Sequence, residues 1–381
     1  MRRYKTYING EWFEGTSEIV LRSVDPSNNK ELGEIVQNSK EDVEYAIESA
    51  SRSFYKTREW RDLDVQQRSD KLLKIADMIE SEIDEIAKTE SMDNGKPLRE
   101  AQADVDDAVH CFRYYAGLIR TPSGQTYNVN SNFGNMHSYT VKEPVGVCAL
   151  ITPWNFPFLM SVWKIAPALA AGNSIIFKPS SETVLSALKL FEILDKCDLP
   201  KGTANLVIGS GSTVGNLLAE SKKVGMITFT GSTSVGQGIM RAAAGNVKKI
   251  GLELGGKSPN IVFADTDIDK TVEWVMMGIF LNQGEVCCAG SRLIIEKSIK
   301  DKFLKKLVDK TDKLTLGAPL DNPDMGPLIS KKHMQDVLGY IEKGKAEGAK
   351  LLCGGYKCTD DDLVNGNFIK PAIFDDCTSD M

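Results

Sequence analysis

The sequence predicts an α/β protein: a doubly wound parallel sheet, a second α/β unit after it, and a polar segment that forms a loop or a protruding hairpin. Three observations predict this. First, from Val145 short apolar runs alternate with stretches that can hold a helix. VCALI (147–151), SIIF (174–177), NLVI (205–208) and MITF (226–229) are separated by helical segments near 160–171, 182–195, 212–221 and 234–245. This is the βαβ rhythm of a parallel sheet. Second, the rhythm restarts after Gly255-Gly256, with NIVFA (260–264), a helix near 268–281, LIIE (293–296) and a helix near 298–311. A boundary near residue 254 follows. Third, 381 residues are too many for one small core.

The remaining elements follow in chain order. Tyr7-Ile8-Asn9-Gly10-Glu11-Trp12 reads as strand, Asn-Gly turn, strand. Between Gln66 and Glu90, Leu72, Leu73, Ile75, Ala76, Met78, Ile79, Ile83 and Ile86 recur at helical spacing, and DNGKP (93–97) ends that helix. A second helix covers 100–119. Residues 121–135 show no clear periodicity and read as the loop or hairpin. AKLLCGG (349–355) and NFIKPAIF (367–374) read as late strands.

Composition narrows the function. Net charge is −6, with no basic run or stripe, which argues against nucleic acid and anionic membrane as partners. The N-terminus MRRYKTYINGEWFEG lacks the apolar region of a secretory signal, so the expected compartment is the reducing cytoplasm. The longest charge-free apolar run, Val145–Trp163, contains Pro153, Asn155 and Pro157 and reads as protein interior. The eight cysteines include no CxxC pair and fit no zinc spacing, so no metal site is expected. Cys287 and Cys288 are adjacent, and a disulfide between neighbours strains the peptide. The three histidines, His110, His137 and His333, stand in no motif that pairs them with a cysteine. A base for cysteine chemistry is therefore sought among carboxylates.

Five stretches carry candidate chemistry, each beside a plainer reading. GSGSTVG (209–215) has the spacing GxGxxxG, so it is a nucleotide-binding turn or simply a flexible one. FTGSTSVG (229–236) follows a strand and opens a helix, where N–H groups can hold phosphate; a plain tight turn is the alternative. In FKPSSET (177–183), Lys178 ends a strand where open α/β sheets bind ligands, and suits a phosphate or ribose; alone it is a surface charge. LELGGKSP (252–259) places Glu253 between leucines. A buried glutamate there is a stronger base than a solvated one and suits general-base work; the alternative is a carboxylate satisfied by backbone amides. PWNFP (153–157) fixes Asn155 between prolines, where its amide can donate to an oxyanion or simply bond loop backbone.

Together with NQGEVCCAGSR (282–292), in this order and spacing, these stretches resemble the NAD(P)-dependent aldehyde dehydrogenase superfamily. TESMDNGKP and WKIAPALAAGN add a betaine-aldehyde or aminoaldehyde flavour, and the likeness spans the whole chain. It implies a Rossmann-like cofactor domain (1–120 and 145–254), an oligomerisation hairpin (121–144) and a catalytic domain (255–381). The motif G-Q-x-C-x-A, here Gly284-Glu285-Val286-Cys287-Cys288-Ala289, makes Cys287 the nucleophile, leaving Cys288 for packing. Glu253 becomes the general base; Asn155 and the Cys287 N–H become the oxyanion hole. Lys164 resembles a position sometimes given a charge-relay role, its plainer reading being a packed lysine. Ile151, Thr152, Trp154, Lys178, Ser180, Ser181, Gly211, Phe229, Ser232 and Leu254 would line NAD or NADP, with the diphosphate at the helix start after Gly231. The implied reaction is oxidation of an aldehyde to a carboxylic acid through a cysteine thiohemiacetal and thioester. An NADP-using semialdehyde dehydrogenase is a second reading, and a catalytically dead relic that keeps nucleotide binding is a third. A homodimer or homotetramer is implied for the full-length form.

Three departures stand out. Ser181 occupies the position where NAD-preferring members carry a glutamate, so NADP acceptance is expected. Glu285 replaces the usual glutamine, and a carboxylate beside the thiol would oppose thiolate formation. Members also continue past this chain's last residue, through an E-E-x-F-G-P segment and a C-terminal strand that pairs between subunits. A chain ending at Met381 is accordingly expected to be weakly stable and inactive by itself.

Overall fold

The computed structural model describes residues 2–121, 123–360 and 362–381; Pro122, within the expected hairpin segment, lies outside the described residues. Five parallel strands, Val147–Ile151, Ser174–Lys178, Ala204–Leu206, Met226–Gly231 and Lys249–Leu254, form the main sheet. Their spatial order is 249–254, 226–231, 147–151, 174–178, 204–206. The N-terminal hairpin, Thr6–Ile8 with Glu11–Phe13, extends it antiparallel beyond 204–206. Asn9 and Gly10 turn that hairpin with φ of 56° and 78°, as a two-residue left-handed turn requires.

The chain first winds from 147–151 to 204–206, then returns to the other side of 147–151 for 226–231. That strand is the switch point, and the crevice beyond its carboxyl end is where such sheets bind ligands. Strands 147–151, 174–178 and 204–206 are buried on both faces, which explains their unbroken apolar runs. Cys148, Leu150, Ile175 and Phe177 face one core with helices Val65–Ser81, Leu98–Leu118, Pro157–Ala170 and Leu185–Lys196. Val147, Ala149, Ile151 and Ile176 face the other with helices Lys40–Arg52 and Thr233–Ala243.

The second rhythm forms a separate parallel pair, Pro259–Val262 with Arg292–Ile295. Helices Ile268–Phe280 and Lys300–Thr311 cover it through Val272, Val275, Phe303 and Leu307. The late strands Lys350–Cys353 and Ile373–Asp375 pair antiparallel beside helix Lys331–Ala346. Strands Thr126–Ser131 and Gly134–Tyr139 form the hairpin, with every residue exposed. Among the described residues no helix is long and apolar enough to cross a membrane.

Three features differ from the sequence reading. The helix expected over 66–90 is two, Val65–Ser81 and Ile83–Asn94, broken at Glu82 without glycine or proline. Apolar spacing continues through the break, so periodicity does not mark it. Strands Val20–Asp25 and Lys30–Val36 pair antiparallel, with Arg3–Tyr4 added in parallel. Helix Lys40–Arg52 follows, opened by a capping box between Ser39 and Asp42.

Candidate active site

The turn that carries Cys287 is built from strained backbone. Asn282, Gln283 and Gly284 have φ of 47°, 58° and 79°. Only glycine adopts this region freely, so Asn282 and Gln283 each cost on the order of 1 kcal/mol that surrounding bonds must offset. The Asn282 N–H donates to Glu100 Oε2 at 2.9 Å, and its amide donates to the Asn155 carbonyl at 2.7 Å. The Gln283 carbonyl oxygen of the side chain accepts from the Gly326 N–H at 3.4 Å.

Asn155 bonds the same turn in return. Its Nδ2 donates to the Glu285 carbonyl at 2.7 Å, two residues before the cysteine. The end of strand Lys249–Leu254 also arrives here, since the Gly256 N–H donates to the Cys287 carbonyl at 3.1 Å. The fold thus gathers Asn155, Cys287 and the strand end bearing Glu253.

Cys287 and Cys288 are both exposed, which corrects the packing role expected for Cys288. The Cys287 thiol is held above its ordinary value, first by the protein packed around the sulfur and then by Cys288 beside it. The N–H groups of Cys287 and Cys288 oppose that shift.

Glu253 is exposed, not buried as its leucine neighbours suggested. Strand alternation gives the reason. Leu252 and Leu254 both turn toward the core under helix Thr233–Ala243, so the residue between them faces away. Lys249–Leu254 is also the edge of the sheet. Glu253 is three residues from the Gly256–Cys287 bond, within roughly 11 Å along the chain. On the face it shares, Lys164 is buried, and its Nζ donates to Thr228 Oγ1 at 2.8 Å. Burial pulls the Lys164 ammonium down to about 8, and Glu253 partly opposes that.

The strand ends hold the other predicted residues. Thr152 N–H donates to the Lys178 carbonyl at 3.1 Å, joining Ile151-Thr152 to its neighbour. Lys178 is 4% exposed, so it is no surface charge; burial lowers its ammonium to about 8, and Nζ donates to the Pro179 carbonyl at 3.0 Å. Ser180 and Ser181 follow it, half-buried. The tip of the Phe229 ring abuts Gly231, where an added Cβ would sit 2.5 Å from Phe229 Cζ. Ser232 caps helix Thr233–Ala243, and residues 232–235 at that helix start are exposed. Gly211 opens a tight turn whose surroundings are clear of any atom a Cβ would meet. Leu254 packs over Gly236. The Trp154 ring packs edge-on to that of His333, 5.1 Å away.

These features fit a dinucleotide. Backbone is open at Gly211 and at the helix start, and the hydroxyls of Thr152 and Thr230 are buried at strand ends without a partner among the described residues. Among the described residues no group of three or more His, Cys, Asp or Glu is arranged to hold a metal ion.

Sequence reasoning missed what supports this site. Glu90 accepts from the Phe158 N–H at 3.3 and 3.2 Å, and Asn94 Nδ2 donates to the Trp154 carbonyl at 2.9 Å. Together they hold the PWNFP loop from below. Fully buried Lys96 lies 2.5 Å from Asp104, 3.6 Å from Glu90, and 4.2 Å from the centre of the Phe156 ring. Part of the signal was present in the sequence: Glu90 and Asp93 recur at helical spacing with Ile86 in helix Ile83–Asn94, and Glu100 and Asp104 with Ala101 and Val105 in helix Leu98–Leu118, while Lys96 sits in the turn between them. Lys96→Met strips two buried carboxylates of their cation and is expected to cost about 3–5 kcal/mol. A urea midpoint equal to that of the unmodified chain contradicts this.

Known proteins share this sequence and fold. The sequence model of the aldehyde dehydrogenase family matches residues 12–381. Betaine aldehyde dehydrogenase of Bacillus subtilis is 46% identical over 376 residues, covering 98% of this chain and 76% of that protein. Peroxisomal aminoaldehyde dehydrogenase 1 of Pisum sativum is 42% identical over 379 residues, covering 98% and 75%. The crystal structure of betaine aldehyde dehydrogenase from Staphylococcus aureus in complex with NAD+ superposes with a TM-score of 0.95 at 41% identity, over 99% of this chain and 75% of that one. With sequence and fold matched from the N-terminal hairpin onward, the chain belongs to the aldehyde dehydrogenase family.

Proposed function

We propose that this chain oxidises an aldehyde to a carboxylic acid with Cys287 as nucleophile, and that betaine aldehyde or an aminoaldehyde is its substrate. One observation carries the mechanism. The Asn155 amide and the Gly256 N–H both bond the main chain of the turn that presents the exposed Cys287 thiol. The Cys287 sulfur attacks the carbonyl carbon, and the C=O pair becomes an oxyanion facing Asn155 and the Cys287 N–H. NAD or NADP, held at Ile151, Thr152, Lys178 and the helix start after Gly231, supplies a hydride acceptor when bound. Glu253 takes a proton from water, whose oxygen attacks the thioester; the C–S bond breaks, releasing the acid and the cysteine. Exposure leaves Glu253 open to water for this step. Lys164, whose ammonium is easier to deprotonate because of burial, supports a proton-exchange role on the same face.

The substrate class rests on the named relatives, a betaine aldehyde dehydrogenase and an aminoaldehyde dehydrogenase. Exposed Trp163 offers a face for a quaternary ammonium, while the Phe156 ring is already covered by Lys96. A panel of aldehydes assayed on the full-length gene product tests this; a preference for simple aliphatic aldehydes overturns the substrate class. The hairpin 126–139 presents Tyr127, Val129, Phe133, Met136 and Tyr139 to solvent, which supports a homo-oligomer.

Ser181 supports NADP acceptance, since no carboxylate stands at that position to repel a 2′-phosphate. Neighbouring Glu182 is exposed and lines a cavity of about 260 Å³ with Arg22, Asn29, Ser330 and Lys331. Ser181→Glu is expected to weaken NADP binding at least ten-fold, at about 1.4 kcal/mol per decade, and to spare NAD. Titration of both dinucleotides measures it, and equal losses for both contradict it.

A further inference from the structure

The structure places Glu285 where no effect on the neighbouring thiol is needed to explain it. Its side chain is 2% exposed and turns away from Cys287. Oε1 accepts from the Ile329 N–H at 3.1 Å and lies 3.5 Å from His333 Nε2, while Oε2 meets no partner among the described residues. Ile329 and His333 belong to the segment that enters helix Lys331–Ala346. The main chain of Glu285 faces inward. Its carbonyl accepts from Asn155 Nδ2 at 2.7 Å and Asn282 Nδ2 at 3.4 Å, and its N–H donates to the Asn282 carbonyl at 2.8 Å.

We propose that Glu285 is a positioning residue, whose buried carboxyl pins the nucleophile turn to the start of helix Lys331–Ala346 and so holds its own carbonyl against the Asn155 amide. The contacts close a ring: Glu285 to His333, His333 edge-on to Trp154, Trp154 covalently to Asn155, and Asn155 back to Glu285. A shift of the Glu285 side chain therefore moves the acceptor that orients Asn155. The strained Asn282-Gln283-Gly284 run immediately before gives the turn a reason to need such a tether.

The tether works in its neutral form. Burial pushes the Glu285 carboxyl up to about 8, and only Lys96, Gln283 and the Ile329 N–H favour its charge. His333 is itself held below its ordinary value by burial, with Asp336 and Lys332 acting on it in opposite senses. Neither partner is ready to supply the countercharge. The neutral acid keeps an acceptor for the Ile329 N–H, and a glutamine would keep the same acceptor with the same shape.

The catalytic meaning of the tether rests on Cys287 being the nucleophile, but its existence is tested without turnover. Hydrogen exchange is compared at peptides covering 282–290 and 326–333 in the unmodified chain, Glu285→Gln and Glu285→Leu. Leucine is expected to speed exchange in both segments about ten-fold, the loss of one buried hydrogen bond, and glutamine to restore it. Turnover of the full-length gene product should follow the same order, with kcat falling in the leucine variant and the KM for dinucleotide unchanged. If Glu285→Leu does not fold, the melting temperatures of the unmodified chain and Glu285→Gln decide. A folded value above the ordinary carboxyl range means that proton binding favours the native state. That stabilisation is full at low pH and is lost as pH rises toward about 8, so the glutamine variant's advantage should widen between about pH 5 and 8. An advantage that stays constant with pH, or leucine exchange equal to that of the unmodified chain, overturns the proposal. Expected exchange together with turnover that survives loss of Cys287 would leave the tether standing and the nucleophile assignment fallen.

Discussion

Replacing Cys287 with serine is expected to lower aldehyde oxidation at least about a thousandfold in the full-length gene product, while dinucleotide binding stays within a few-fold. A hydroxyl keeps nearly the same volume on the turn but is a far poorer nucleophile and leaving group near neutrality. Both the attack and the later C–S cleavage depend on sulfur. Cys288→Ser is the internal control, because Cys288 shares the exposure and the turn but lacks the position relative to Asn155 and Gly256. It is expected to stay within a few-fold in rate and to lower the Cys287 thiol value slightly, since Cys288 is one of the groups holding it up. Iodoacetamide labelling against pH reads that second effect. If the two serine variants lose activity equally, the nucleophile has been assigned to the wrong member of the pair.

The second large effect is expected at Asn155. Removing one preorganised oxyanion donor costs about 10²–10³ in kcat. Asn155→Ala should therefore lose that much, with little change in the KM for aldehyde. Part of the damage can come through structure, because the same amide bonds the Glu285 carbonyl. Alkylation of Cys287 separates the two contributions. A thiol that labels at an unchanged rate shows that the turn has kept its place, so the lost rate belongs to the oxyanion. A loss of less than ten-fold in kcat would leave Asn155 as a loop-bonding residue only.

Much of the architecture was legible because parallel strands buried on both faces are read as plain apolar runs. VCALI and SIIF appear in the structure as Val147–Ile151 and Ser174–Lys178, with alternate residues in opposite cores. The elements that went unread are those with weak apolar contrast. Val20–Asp25 and Lys30–Val36 mix exposed, half-buried and buried residues without a clean alternation. Helix Lys331–Ala346 buries only Met334 and Ile341, too few to announce a period. Ser39 and Asp42 did carry a helix-start signal, two residues wide in a polar stretch.

The site was legible in its parts more than in its environment. Asn155, the cysteine turn and the Gly-rich end of strand Lys249–Leu254 come together in space. Glu253 shows the limit of reading burial from neighbours: in a strand, flanking leucines argue that the residue between them faces the other way. Glu285 lay beyond sequence reasoning for another reason. Its side-chain partners are Ile329 and His333, more than forty residues along the chain, and adjacency to Cys287 suggested an influence that the fold directs elsewhere. Glu90 and Asp104 could have been read, because helical spacing within each of their two helices places them among apolar residues that must be buried; Lys96, in the turn between those helices, is announced by no period.

The central claim is that oxidation proceeds through an acyl group on Cys287. Acid quenching of the full-length gene product during turnover of NAD and an aldehyde, followed by peptide mapping, tests it most directly. The acyl mass is expected on the peptide carrying Cys287, absent in Cys287→Ser and enriched in Glu253→Gln, where hydrolysis is slowed. Dinucleotide reduction with no acyl group on that peptide, or with the acyl group on Cys288, would contradict it.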